Sequence, residues 1–341
     1  MAFDPTLLQN ARATINDATL GKIAQNNLRM PNFGAARALL DGANQLISGL
    51  TDLKKSDTQQ LQIPVFNKIP AGTETLRKCA GEGSGGTAMV PVNFTGITEE
   101  FSLNELDTLG NELTRDMAFA YLVQQKSRNM YKRINDFALA YLESQKATIN
   151  RGTYFGAPVA GVTHVPYALR NEFFGGIEAD MLSNDFSGII DAVTGTNMRA
   201  LYNFQQAQGA ANGTNLDYQL SNVTPYFTAI PKGAGVYDKA YVYERGTVGM
   251  YTWLRPTFRR TRDIGTDVWM TFNLPALPGA PLDLAGQPEG LEVELKIKYG
   301  CVGEAEYNES YVMHIDVAGL IAYAESVGDT GVYAYEIDRA A

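Results

Sequence analysis

Leu106, Leu109, Leu113, Met117, Ala120, Val123, Ser127, Met130, Ile134, Phe137 and Tyr141 step by three or four residues along one uninterrupted stretch. That spacing keeps a single face of an α-helix apolar, and the pattern predicts one helix over residues 104–148, with Gly110 near its start. At 1.5 Å per residue such a helix is roughly 65 Å long, more than a compact domain of this size needs. It is therefore either the member of a coiled coil or the rod on which the other elements of a larger body are laid.

What flanks the helix favours the rod. Upstream, Asp4-Pro5 reads as an N-cap followed by proline at the first helical position, and Leu8, Ala11 and Ile15 continue an apolar face. After Pro31-Asn32-Phe33-Gly34, the residues Leu39, Leu40, Ala43, Ile47 and Leu50 recur at helical spacing up to Lys54-Lys55. Two short helices of this kind bury too little to fold alone, so residues 1–57 are expected to be an arm that packs on something else. Residues 60–101 read as a long hairpin: Leu61, Ile63 and Val65 alternate with polar residues, and Met89, Val90, Val92 and Phe94 supply the return run. Pro64, Pro70 and Pro91 keep it out of a sheet centre, and its tip, Gly81-Glu82-Gly83-Ser84-Gly85-Gly86, is rich in glycine.

Downstream, residues 152–176 read as turns, and a helical region is expected from Ser183 through Ile189, Ile190, Val193, Met198 and Leu201, broken near Gly195. Strands are expected over 239–254, 267–274, 291–301 and 311–317. In the third of these Leu291, Val293, Leu295 and Ile297 alternate with Glu292, Glu294, Lys296 and Lys298, which predicts a half-buried strand with a charged outer face. The fold class is α+β.

Composition sets limits on function. The chain has 341 residues, 45% hydrophobic and 19% charged, enough to bury cores in two modest domains. A net charge of −9 argues against nucleic-acid binding as its main task, because phosphate contacts need an excess of Lys and Arg. Cys79 and Cys301 are far apart and form no C-x-x-C pair, so both are expected to be reduced thiols. Neither an export signal nor a membrane-length apolar run is visible, which implies synthesis in a cytoplasm and makes the sequon Asn93-Phe94-Thr95 a chance occurrence.

The tip of the hairpin satisfies G-x-G-x-x-G, but an extended, proline-interrupted run follows it and no helix is there to hold a pyrophosphate. Ser84 has Glu82 two residues before it, where a nucleophile elbow needs glycine. His164 falls in a loop rich in glycine and proline, and His314 on an alternating stretch between Met313 and Ile315. Each reads first as a hydrogen-bonded structural histidine; the enzyme alternative is a hydrolase or transferase using one of them with nearby acids. Arg255, Arg259, Arg260 and Arg262 are the densest positive cluster and suit pairing across an interface or a solvated loop. Glu99-Glu100 reads as solvated, and Lys68 and Lys78 carry no special chemistry. No catalytic, cofactor-binding or metal-binding residue is assigned.

The order of helical arm, glycine-tipped hairpin, very long helix and α+β body resembles the major capsid proteins of tailed bacteriophages, of the Hong Kong 97-like fold. The resemblance implies an N-terminal arm over 1–57, an extended E-loop over 58–103, a P-domain with its spine helix over 104–182, an A-domain over 183–290, and P-domain return strands over 291–341. It implies a shell subunit without cofactors, located in the virion, assembling with copies of itself as hexamers and pentamers around double-stranded DNA that it contacts non-specifically at most. Implied partners are a portal, a scaffolding protein and, in some cases, a decoration protein, with no membrane. An encapsulin-type compartment shares the architecture and is the alternative within the same fold; a coiled-coil adaptor built on the long helix is another.

Overall fold

The computed structural model describes residues 33–46, 62–66, 87–104, 112–152, 154–211, 222–255, 262–264, 267–274, 290–302, 306–322 and 328–339. The stripe of apolar residues forms α2, Glu112–Ser144, the longest helix among the described residues. The position expected for its start, Asn104, is strand. Asn104 closes the strand β3, Thr95–Asn104, because Ile97, Phe101 and Leu103 prolong a two-residue alternation up to that point. From α2, Phe119, Val123, Met130, Ile134, Ala138 and Leu142 are buried at steps of four or seven, along one face.

That face covers a six-stranded sheet. Its strands are β3, β8 (Val248–Trp253), β9 (Arg262–Ile264), β10 (Asp267–Asn273), β11 (Glu292–Val302) and β12 (Glu306–Ile321). The order is β3-β12-β11-β10-β9, and every pairing is antiparallel. β12 is long enough to serve two neighbours in succession: Asp316 and Val317 pair with β3 on one side and with β8 on the other, beyond the end of β11. Ile97, Phe101, Val293, Leu295, Ile297, Tyr311, Met313 and Ile315 meet α2 in one core. Phe101 stacks on Tyr311 at 4.8 Å, with Phe119 of α2 4.9 Å from the same tyrosine.

A second, five-stranded sheet has the order β4-β13-β7-β5-β6: Val162–Val165, Tyr333–Asp338, Val236–Glu244, Ile190–Thr194 and Val223–Phe227. The helices α3, Phe173–Ser183, and α4, Thr196–Ala211, flank it. Phe173, Phe174, Ile177, Met181 and Met198 of the helices pack with Ile190, Ala192, Val242 and Tyr335 of the strands.

Several local expectations change here. Of the helical region expected from 183, the part beyond Gly195 is α4, but the part before it holds strand β5 at Ile190–Thr194; every residue of β5 is buried, so it shows no alternation to separate it from a helix. The stretch 152–176, expected to be turns, holds β4 and the start of α3. Its Gly176 is there for packing, since a Cβ would lie 2.2 Å from the Phe155 ring. The strand expected over 239–254 is two strands in two different sheets, parted by a turn in which Gly246 has φ +92°. Glu294, expected on a charged outer face, is only 2% exposed and accepts a hydrogen bond from the Arg255 amide at 2.6 Å. Strands from either side of residues 182/183 and 290/291 share a sheet, β4 and β13 lying with β5, β6 and β7, and β8, β9 and β10 with β11 and β12.

The first helix of the chain to be described, α1 (Gly34–Leu46), packs on its own subunit. This corrects the view of residues 34–46 as an arm reaching elsewhere; residues 1–32 lie outside the described residues. Ala35, Ala36, Ala38, Leu39 and Ala43 are all fully buried. A Cβ on Gly34 would stand 2.4 Å from the Phe227 carbonyl oxygen of β6, and one on Gly42 2.8 Å from that of Val248 in β8. The helix thus lies where the two larger sheets meet.

Candidate functional site

The hairpin expected over 60–101 is present in its paired part as β1, Gln62–Phe66, and β2, Thr87–Pro91. The register runs from Gln62↔Pro91 to Phe66↔Thr87, antiparallel. These strands form a sheet of their own, not hydrogen-bonded into either larger one, whereas residues 95–104 leave the ribbon and join the six-stranded sheet. Its tip, with Lys68, Lys78, Cys79 and the glycine-rich run 81–86, lies outside the described residues. The root is anchored: Val92 is buried with Tyr251, Trp253 and Leu320, and the Phe94 ring is 6.0 Å from Tyr251 and 5.9 Å from Trp253. Just before the root, Met89 is 58% exposed. Among the described residues no further strand pairs with it, and an isolated two-stranded sheet is marginal in water, so the ribbon gains from an outside contact.

The polar residues singled out by sequence are dispersed. His164 is on β4, not in a loop, and its Nδ1 lies 3.4 Å from Asp338 Oδ1, with both side chains about half exposed. His314 is held at both nitrogens, by Thr98 Oγ1 at 2.7 Å and by Asp316 Oδ1 at 3.1 Å. Of the arginine cluster, Arg255 is exposed and Arg262 stands opposite Trp269 in the β9–β10 register; Arg259 and Arg260 lie outside the described residues. Glu99 is not solvated. It bridges β3 to α2 through Lys126 at 3.5 Å and Arg133 at 3.1 Å, while Glu100 is exposed. Cys301 is on β11 opposite Tyr307.

Sequence reasoning missed the networks that tie the helices to the five-stranded sheet. Arg245 grips Asp191, which is fully buried, at 2.6–3.1 Å, and also donates to Tyr226 Oη, which in turn donates to Asp41 of α1. Burial pushes the Asp191 carboxyl above its ordinary range, with Arg245 pulling against it. At the end of α2, burial also acts to raise Glu143, but hydrogen bonds from Lys146, Tyr241 and Lys239 outweigh it and hold the carboxyl at about 2. Among the described residues no group of three or more His, Cys, Asp or Glu side chains is placed to hold a metal ion, and no helix is long and apolar enough to cross a membrane.

No protein-family model matches the chain, and no curated protein matches it. Solved structures similar to it include the capsid of Ralstonia phage GP4, at 10% identity and a TM-score of 0.47, covering 92% of this chain and 93% of that one. The cyanophage Pam1 capsid asymmetric unit is similar at 12% identity and TM-score 0.47, over 91% and 92%. The cyanophage A-1(L) capsid asymmetric unit follows at 11% identity and TM-score 0.45, over 86% and 94%. What this chain is similar to, along most of its length, is a set of phage capsid chains.

Proposed function

We propose that this protein is the major shell subunit of a tailed bacteriophage, a structural protein without catalytic turnover that assembles with many copies of itself into the capsid around double-stranded DNA. The observation that carries the reading is the ribbon β1–β2: a two-stranded sheet set apart from both larger ones, rooted in the body by Val92 and Phe94, with Met89 exposed. Such a ribbon gains most from lying on another copy, and one heterologous contact repeated around an axis closes a ring. The rest of the subunit suits a wall: a long helix on a six-stranded sheet, with α1 fastening the second sheet to it. Hexamers and pentamers, a portal and a scaffolding protein are the partners this reading calls for, a decoration protein is an optional one, and the virion is its location. The net charge of −9 suits an inner surface that does not grip packaged DNA.

Electron microscopy of the purified protein, or of the particle that contains it, tests the reading. Closed shells are expected; a chain that stays monomeric under every assembly condition overturns it. Met89→Asp is expected to lower the yield of closed shells while leaving thermal unfolding of the isolated subunit unchanged, because the side chain is exposed in the subunit.

A further inference from the structure

The shell reading leaves one constellation unused. On the face of the six-stranded sheet turned away from α2, His314 lies between a hydroxyl and a carboxylate: Thr98 Oγ1 at 2.7 Å from Nδ1 and Asp316 Oδ1 at 3.1 Å from Nε2. The pairing decides the tautomer. Asp316, 5% exposed, is a carboxylate that only accepts, so neutral His314 must carry its proton on Nε2 and present the Nδ1 lone pair to Thr98, which then donates. That is the state of a general base in contact with a nucleophile, oriented by an acid.

The surroundings support the same assignment. Gly96 makes room for the ring, since a Cβ there would stand 2.8 Å from His314 Cε1 and 3.3 Å from Asp316 Oδ1. Glu294, directly opposite His314 on β11 and 2% exposed, places a second carboxylate beside the imidazolium that forms when His314 takes a proton. β3 is the outermost strand on its side of the sheet, and its Thr98 carbonyl is bonded by Arg133 Nη1 at 2.5 Å, which fixes a guanidinium at that edge.

We propose that Thr98, His314 and Asp316 form an acyl-accepting site, at which the Thr98 hydroxyl takes the acyl group of an activated carboxylic ester. Thr98 Oγ1 bonds to the acyl carbon as its proton passes to His314 Nδ1. The carbon–oxygen bond to the donor alcohol then breaks, and the imidazolium returns the proton to that alcohol. The products are a threonyl ester and a free alcohol, with no redox change. Thr98 and His314 touch the reacting atoms; Asp316 is a positioning residue that holds the tautomer. The inference is independent of the shell reading, since acylation and particle formation are scored in separate assays.

The test treats the purified full chain with p-nitrophenyl acetate and maps the acetyl group by peptide mass spectrometry. Label on Thr98 is expected, retained in Thr98→Ser and lost in Thr98→Val, with labelling slowed at least ~100-fold in His314→Gln, the contribution of a positioned general base. Nitrogen chemical shifts of His314 should show the Nε2–H tautomer in the parent and loss of that preference in Asp316→Asn. Circular dichroism checks that each variant is folded. Label confined to lysines or to His314 itself, equal labelling of Thr98 in His314→Gln, or an Nδ1–H tautomer in the parent overturns the proposal.

Discussion

Asn135 satisfies three groups with one carboxamide. Its oxygen accepts from the amides of Ala35 and Ala36 at the start of α1, at 3.1 and 3.4 Å, and its nitrogen donates to Thr228 Oγ1 at 3.1 Å. Asparagine and threonine are both buried, so Asn135→Ala leaves those groups without a partner and is expected to cost about 2–3 kcal/mol, read from the midpoint of a denaturant titration. Gly246 makes a backbone case of the same kind. At φ +92° an L side chain is strained, and Gly246→Ala is expected to lose roughly 1–2 kcal/mol by the same measurement. Little at this scale was legible in the sequence. His314 was found as a residue on an alternating stretch, but its partner Thr98 is 216 positions away and is brought to it only by the β3–β12 register. Pairing of that kind leaves no local motif.

Elements were legible in proportion to their periodicity. α2 and β11 each keep one face apolar over many residues and were identified, although Asn104, expected at the start of the first, belongs to β3 and the second buries Glu294. Ile190–Thr194 has no exposed face at all, and β4 has four residues, too few to show a period. α1 was recognised as a helix but not as a fixture. Its contacts are glycine and alanine backbones pressed against strand carbonyls, which hydropathy does not report. The end of α2 offers an element-scale prediction. Glu143 reaches Lys239 at 2.9 Å and Tyr241, both on β7, and so joins the helix to the five-stranded sheet. Its folded value of about 2 is below its ordinary 4.5, so its contribution is present above pH 4.5 and lost as the pH falls toward 2. Glu143→Gln is expected to lower the melting temperature at pH 7 and to flatten its decline between pH 4.5 and 2. The side chain is 41% exposed, so solvent screening keeps the effect modest.

For the whole molecule, the order of paired ribbon, long helix and α+β body was legible. The division into two sheets was not, because it depends on where the chain crosses from one to the other. The chain passes from β3 and α2 into β4, back at the turn between β7 and β8, and across again between β12 and β13. Residues 183–290 produced alone would carry β8, β9 and β10 without β11 or β12, and β5, β6 and β7 without β13 or β4. Such a fragment is expected to give collapsed amide dispersion by NMR, whereas the full chain gives a folded spectrum. The same crossings bear on how a gene of this kind can change. Each of the two larger sheets is drawn from two separated blocks of the chain, 95–104 with 248–321 and 162–244 with 333–338, so exchange of a contiguous stretch that takes in one block without its partner breaks strand pairs. Variation should accumulate by substitution within each strand, and recombination should be tolerated in the ribbon, whose two strands, among the described residues, pair with each other alone.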